Sequence, residues 1–174
     1  MALYAIGDLH LSLTANKSME VFGPAWENYV DRIGASLSQL TADDVLVLAG
    51  DTSWGIDLNE AEADFRFLDQ FPCKKYLVKG NHDYWWSTVS KMKSFFAEKG
   101  FTTLDFLHNN CAFYGDHALC GTRGWFFEED QKPHNIVNFI FVPSEFDQHR
   151  LHHTCVTTAT THQKDIFILW KIIL

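Results

Sequence analysis

The segment Val45-Leu46-Val47-Leu48-Ala49-Gly50-Asp51 sets the reading of the fold. Five apolar residues, too short a run for a helix, end abruptly in Gly and a carboxylate. A short apolar run closed by Gly is the pattern of a strand buried on both faces. The same pattern stands upstream, where Leu3 to Ile6 run into Gly7-Asp8, and downstream, where Tyr76 to Val78 lead to Gly80-Asn81-His82-Asp83. Helical spacing fills the intervals. Trp26, Tyr29, Ile33, Leu37 and Leu40 recur at +3 and +4 behind Pro24, which suits a first helical turn. Leu58, Ala61, Phe65 and Leu68 repeat the spacing, and Val89, Met92 and Phe96 form a third set, with Gly100 as the stop. Strands alternating with helices predict βαβ units around a parallel sheet, an α/β fold. After Gly100 the rhythm changes. Thr103 to Leu107, Cys111 to Tyr114 and His117 to Cys120 read as short strands of a β meander, joined at Asn109-Asn110 and Gly115-Asp116.

Composition agrees with an ordinary globular domain. The 174 residues are 47% hydrophobic and 21% charged, which excludes disorder over most of the chain. A net charge of −8 opposes non-specific nucleic-acid binding, although bound cations would reverse the sign locally for a small phosphorylated substrate. Cys73, Cys111, Cys120 and Cys155 form no CxxC pair and read as idle thiols in a reducing compartment. Ile166 to Leu174 is interrupted by Lys171 and is far below the roughly 20 residues of a membrane span. No signal peptide precedes Leu3, so a cytoplasmic protein without a membrane partner is expected.

The chemistry sits where strands end. In open α/β sheets ligands lie beyond the carboxyl ends of the strands, and Asp8, His10, Asp51, Asn81, His82 and Asp83 all fall there. Asp8 and His10, two apart, can reach one ion in an extended chain. The Asp51 carboxylate can serve two ions, and Asn81 offers a neutral carbonyl oxygen. Such O and N donors suit Mn²⁺, Fe or Zn²⁺. A centre of two divalent ions would generate hydroxide, hold phosphoryl oxygens and stabilise in-line attack. His82 beside it would protonate the leaving oxygen, with Asp83 orienting the imidazole. A D-x-H triplet is expected by chance about 0.7 times in this composition, whereas Gly80-Asn81-His82-Asp83 is expected only about 0.002 times. The tetrad therefore carries the signal.

Ile6-Gly7-Asp8-Leu9-His10, Gly50-Asp51-Thr52-Ser53-Trp54 and Gly80-Asn81-His82-Asp83-Tyr84-Trp85-Trp86 resemble the calcineurin-like metallophosphoesterases. More narrowly, they resemble a bacterial subgroup of predicted phosphohydrolases, a likeness shared by Val21-Phe22-Gly23, Trp26-Glu27-Asn28-Tyr29 and Gly121-Thr122-Arg123-Gly124-Trp125. The resemblance runs from Leu3 to about Asp130. It implies a two-sheet α/β sandwich flanked by helices, incomplete at the C-terminus, with a dinuclear metal site at one edge. By the same resemblance Asp8 and His10 bind the first ion, Asp51 bridges, Asn81 binds the second and His82 is catalytic. Arg123, between two Gly, either grips a substrate phosphate or is a structural residue of the turn. Tyr84-Trp85-Trp86 would either wall a substrate pocket or belong to the core, and Lys74-Lys75 reads as a solvated strand start.

Residues 131–174 break the design. They hold no Gly, five of the nine His and a Thr-rich patch, and the charge changes from −9 over residues 1–130 to +1. The family continues to a lone metal-binding His and a Gly-His-x-His motif, neither of which is visible here. Either His149, His152, His153 or His162 replaces those ligands, or a frame shift near Gln131 leaves an unrelated end, which the abrupt change favours. With Asp51 and Asn81 alone, the second ion would be weakly held. Ile136 to Val142 and Ile166 to Leu174 are apolar enough to cover exposed sheet as strands or at a homodimer contact. Two functions are therefore expected to compete. One is a metal-dependent hydrolase of phosphomonoesters or phosphodiesters acting through metal-bound hydroxide. The other is a catalytically impaired family member that binds metal weakly or serves as an interaction module.

Overall fold

The computed structural model describes residues 1–115, 117–123 and 137–143, from residue 122 onward by backbone alone. Four strands, β1 (Leu3–Ile6), β2 (Val45–Leu48), β3 (Lys74–Leu77) and β4 (Leu104–Phe106), form a parallel sheet in the order β1-β2-β3-β4. The register pairs Leu3 with Val45, Val45 with Lys74, and Lys75 with Leu104. Three further strands, β5 (Asn110–Tyr114), β6 (His117–Arg123) and β7 (Val137–Pro143), form an antiparallel meander. The stretch at 103–107, expected to open the meander, instead closes the parallel sheet. A crossover helix precedes it, and a helical crossover is what lets consecutive strands run parallel.

Alternation along the strands supplies two cores. Tyr4, Ile6, Leu46, Leu48, Leu77 and Phe106 face the helices, where Ile33, Phe65, Met92 and Phe96 pack. Leu3, Ala5, Val47, Tyr76 and Val78 face the other way, against Ala112, Tyr114 and Leu119 of the meander. Successive side chains on a strand point to opposite faces, so a four-residue apolar strand serves both layers at once. The sheets approach closely at Gly121, where an added Cβ would run into Leu107. The result is the two-sheet α/β sandwich with flanking helices.

The helices are α1 (Tyr29–Leu37), α2 (Glu62–Asp69) and α3 (Val89–Lys99). The last has a Thr88 side-chain cap on the Lys91 N–H and ends at Gly100, whose φ of 74° is left-handed, as its periodicity predicts. The first is shorter than its pattern. Pro24–Trp26 form a separate 3₁₀ turn, and Asn28, at φ 52°, breaks the helix before Tyr29. The Glu20 carboxylate accepts the Asn28 N–H there, so the break is held by hydrogen bonding.

Two further expectations are corrected. Lys75 is fully buried, with Nζ donating to Phe71 O, Cys73 O and Thr103 Oγ1. Burial lowers the pKa of its ammonium, and those three acceptors replace the lost water. Cys111 and Cys120 face each other across β5 and β6, Cα atoms 4.2 Å apart, and are joined as a disulfide. That spacing is close to the roughly 4.5 Å of a non-hydrogen-bonded antiparallel pair. Cys73 is a free, buried thiol, and Cys155 lies outside the described residues. So do His134, His149, His152, His153, His162 and the run from Ile166 to Leu174. Of the 131–174 segment, β7 pairs with β6 from Val137 opposite Arg123 to Pro143 opposite His117.

Candidate metal centre

Beyond β1 and β2 the chain does not diverge. Asp8 N donates to Gly50 O, His10 N to Asp51 O, Leu11 N to Thr52 O and Trp54 N to Leu11 O, at 2.9–3.0 Å. The two loops thus run on as a hydrogen-bonded pair, closed by the Leu11–Ser53 bridge. Within it Asp8, His10 and Asp51 stand at φ 56°, 45° and 51°. Left-handed backbone is costly for residues with a Cβ and persists only where the surroundings enforce it. Here it turns Asp8 and His10 toward Asp51. The Tyr29 hydroxyl donates to His10 O at 3.1 Å and holds that turn from α1.

The donor atoms converge. His10 Nε2 lies 3.7 Å from Asp8 Oδ1 and 3.9 Å from Asp51 Oδ2. These separations are too long for hydrogen bonds. They fall between about 3.0 and 4.2 Å, the span available to two donors each about 2.1 Å from one ion. His10, Asp51 and His82 also present ligand atoms within 4.8 Å of one another. His10 thus faces the carboxylates with Nε2, while its buried Nδ1 has no hydrogen-bond partner among the described residues. A divalent ion fits this donor set. His10 holds the Asp8 carboxyl below its ordinary pKa, against the opposing effect of burial.

Asp51 is the hub. Its Oδ1 accepts the His82 backbone N–H at 2.8 Å, and Oδ2 lies 3.0 Å from His82 Nδ1. Asn81 Nδ2 sits 3.2 and 3.3 Å from the two ring nitrogens of His82. Asp8, His10, Asp51, Asn81 and His82 are therefore all brought to one place. Gly80 makes this possible, because a Cβ there would collide with the Asp51 carboxylate and backbone N.

Asp83 does something other than expected. Its buried carboxylate accepts the N–H groups of Asp51, Thr52, Ser53 and Gly80 and the indole N–H of Trp85, at 2.8–3.3 Å. It shapes the loop that carries Asp51, and it is Asp51 that orients the His82 ring. Burial pushes the Asp83 carboxyl up, opposed by those N–H donors. Farther from the metal centre, Asp64 of α2 buttresses the same loop, accepting the Leu13 N–H and the Ser53 hydroxyl.

Trp54 is the residue whose place the motifs left unassigned. Its ring stacks on His10, centroids 4.7 Å apart at 22°, and tilts against His82 at 4.8 Å. The clue was a large aromatic three residues past Asp51, inside an otherwise small and polar loop. Of the aromatics after the tetrad, Trp85 is core, against Phe65, and Trp86 packs on Phe106 and His108. Tyr84 is exposed, 6.2 Å from the His82 ring centroid. Arg123 ends β6, and its side chain lies outside the described residues. Among the described residues no helix is long and apolar enough to cross a membrane.

Residues 1–170 match the family model of the calcineurin-like phosphoesterases, a span that continues past the motif likeness ending near Asp130. No curated protein matches the chain. Among solved structures, a protein of unknown function from Aquifex aeolicus is 20% identical, with a TM-score of 0.43 over 68% of this chain and 58% of that one. The chain thus spans less than two thirds of that protein's length.

Proposed function

This chain belongs to the calcineurin-like phosphoesterase family, and we propose that it hydrolyses phosphomonoesters or phosphodiesters at a two-ion centre formed by its β1, β2 and β3 loops. The observation that supports the reading is His10 Nε2 standing 3.7 Å from Asp8 Oδ1 and 3.9 Å from Asp51 Oδ2, beside a His10, Asp51 and His82 group whose ligand atoms lie within 4.8 Å of one another. Asp8 and His10 would hold the first ion, Asp51 both, and Asn81 the second, more weakly held one. When bound, such ions supply Lewis acidity and an activated water. His82 donates Nδ1–H to Asp51 and carries on Nε2 the proton that the leaving oxygen takes as its bond to phosphorus breaks. Water supplies the oxygen that phosphorus gains. Asp83 and Tyr29 touch none of the reacting atoms and keep the two loops in register.

A second reading rests on the proximity of His82 to Asp51. His10, Asp51 and His82 would together ligate a single ion. The experiment is hydrolysis of bis-(p-nitrophenyl) phosphate with and without Mn²⁺, with metal titration of the same samples. The expected result is Mn²⁺-dependent turnover abolished by Asp51→Asn. His82→Ala should lower kcat by about 10²–10⁴ while retaining Mn²⁺. Loss of Mn²⁺ from His82→Ala would favour the single-ion reading. Turnover no greater than the Asp51→Asn background, from folded protein, would leave the impaired family member.

A further inference from the structure

Seven large apolar side chains are exposed among the described residues, and five of them lie on the loops that leave β1, β2 and β3 toward the metal centre. Leu13 is three residues past His10, Ile56 two past Trp54, and Tyr84 two past His82. Val21 and Phe22, 80% and 69% exposed, share a 3₁₀ turn with Met19, whose Sδ accepts the Trp54 indole N–H at 3.4 Å. Single exposed apolar residues are ordinary on any surface. Five on the same loops that carry the donors are not, because a ligand consisting of phosphate alone would use none of them.

A cation stands in the same place. Lys17 Nζ lies 5.5 Å from the ring centroid of Trp54, the ring that stacks on His10. Its backbone N–H is held by Ser12 Oγ, and no carboxylate among the described residues lies within ion-pair distance of it. It offers a positive charge beside a centre whose own side-chain charges are carboxylates.

Resting on the phosphoesterase reading, we propose that the substrate is amphiphilic. Its anionic phosphoester head occupies the metal centre with Lys17 neutralising some of its charge, and an apolar body lies across Leu13, Val21, Phe22, Ile56 and Tyr84. Continuity with the site selects this occupant over a second copy of the chain. Leu13 and Tyr84 stand within three positions of a donor, and Ile56 is two past Trp54. Val21 and Phe22 share the turn of Met19 that bonds Trp54, and the Lys17 cation over Trp54 matches a phosphate.

The test is binding, which does not depend on turnover. Octylphosphonate, below its micellar concentration, and methylphosphonate are titrated calorimetrically into the protein with Mn²⁺. The octyl compound should bind at least about tenfold tighter, since several methylenes leave water. In a Phe22→Ser/Ile56→Ser variant the octyl-to-methyl ratio should fall toward one. Lys17→Met should weaken both ligands about equally, with partial recovery in Lys17→Arg. Equal affinities in the unaltered protein, a ratio that survives the double serine variant, or no binding of either ligand would overturn the proposal. So would a concentration-dependent dimer abolished by the same variant, which would assign the rim to a second copy. Tight octyl binding without hydrolysis of any ester would instead sink the hydrolase reading and leave the ligand class standing.

Discussion

Asp51 and Asp83 lie 32 residues apart, and a single hydrogen-bonded loop gives them opposite tasks. Asp51 turns Oδ2 toward two imidazoles and accepts the His82 backbone N–H through Oδ1, whereas Asp83 spends both of its oxygens on five N–H donors. Asp83→Asn would keep the shape but leave one acceptor where five donors converge, and its NH₂ would face N–H groups. Hydrogen bonds to charged groups are worth about 1.5–3 kcal/mol, and stranded buried donors cost about as much again. The expected loss is about 3 kcal/mol in urea denaturation, together with weakened Mn²⁺ binding, although Asp83 touches no ion. Gly80→Ala is expected to cost about 1–3 kcal/mol and to weaken Mn²⁺ binding, because Asp51 must yield to the new Cβ. The tetrad was legible as a site because its residues are adjacent in sequence. The work of Asp83 was not, because three of its five partners come from 30–32 residues upstream and its side chain turns inward while that of His82 turns out.

Elements are held together by similar clamps at the far end of the sheet. Asp44, just before β2, accepts the N–H of Ala2 through Oδ1 and the N–H and hydroxyl of Thr41 through Oδ2. The Thr41 backbone and side-chain bonds, followed by the Ala2 bond, hold its carboxyl below the ordinary value of 3.8. A lowered carboxylate contributes stability that is present above its unfolded pKa and is lost as pH falls through the folded one. Stability should therefore fall with acid below about pH 4, and Asp44→Asn should show a flatter acid limb than the parent in thermal melts across pH 2–7. If both limbs coincide, the clamp is not ionic. At this scale the strand runs and α3 were legible from period and caps. The early end of the helical pattern at Asn28 and the buried ammonium of Lys75 were not, because each depends on acceptors supplied by another element.

The two layers of the sandwich are joined through a small apolar cluster. Leu119 is fully buried among Val47, Val78 and Leu107, on the face of the parallel sheet away from the helices. Leu119→Ala should cost about 2–5 kcal/mol, and urea unfolding followed by helical and β signals should remain a single transition at lower midpoint. Two separate transitions would mean that the meander folds as its own unit. Sequence alone determined the alternation of strand and helix, the three strand ends that carry the chemistry, and the family. Each of these is written in residues that neighbour one another along the chain. Tertiary structure alone decided that the 104–106 strand joins the parallel sheet, that Cys111 meets Cys120, and that Trp54 lies against both histidines. It also decided that Asp8, His10 and Asp51 hold left-handed backbone. Those outcomes depend on contacts between distant segments and on strain that neighbouring loops enforce, and neither leaves a local pattern to read.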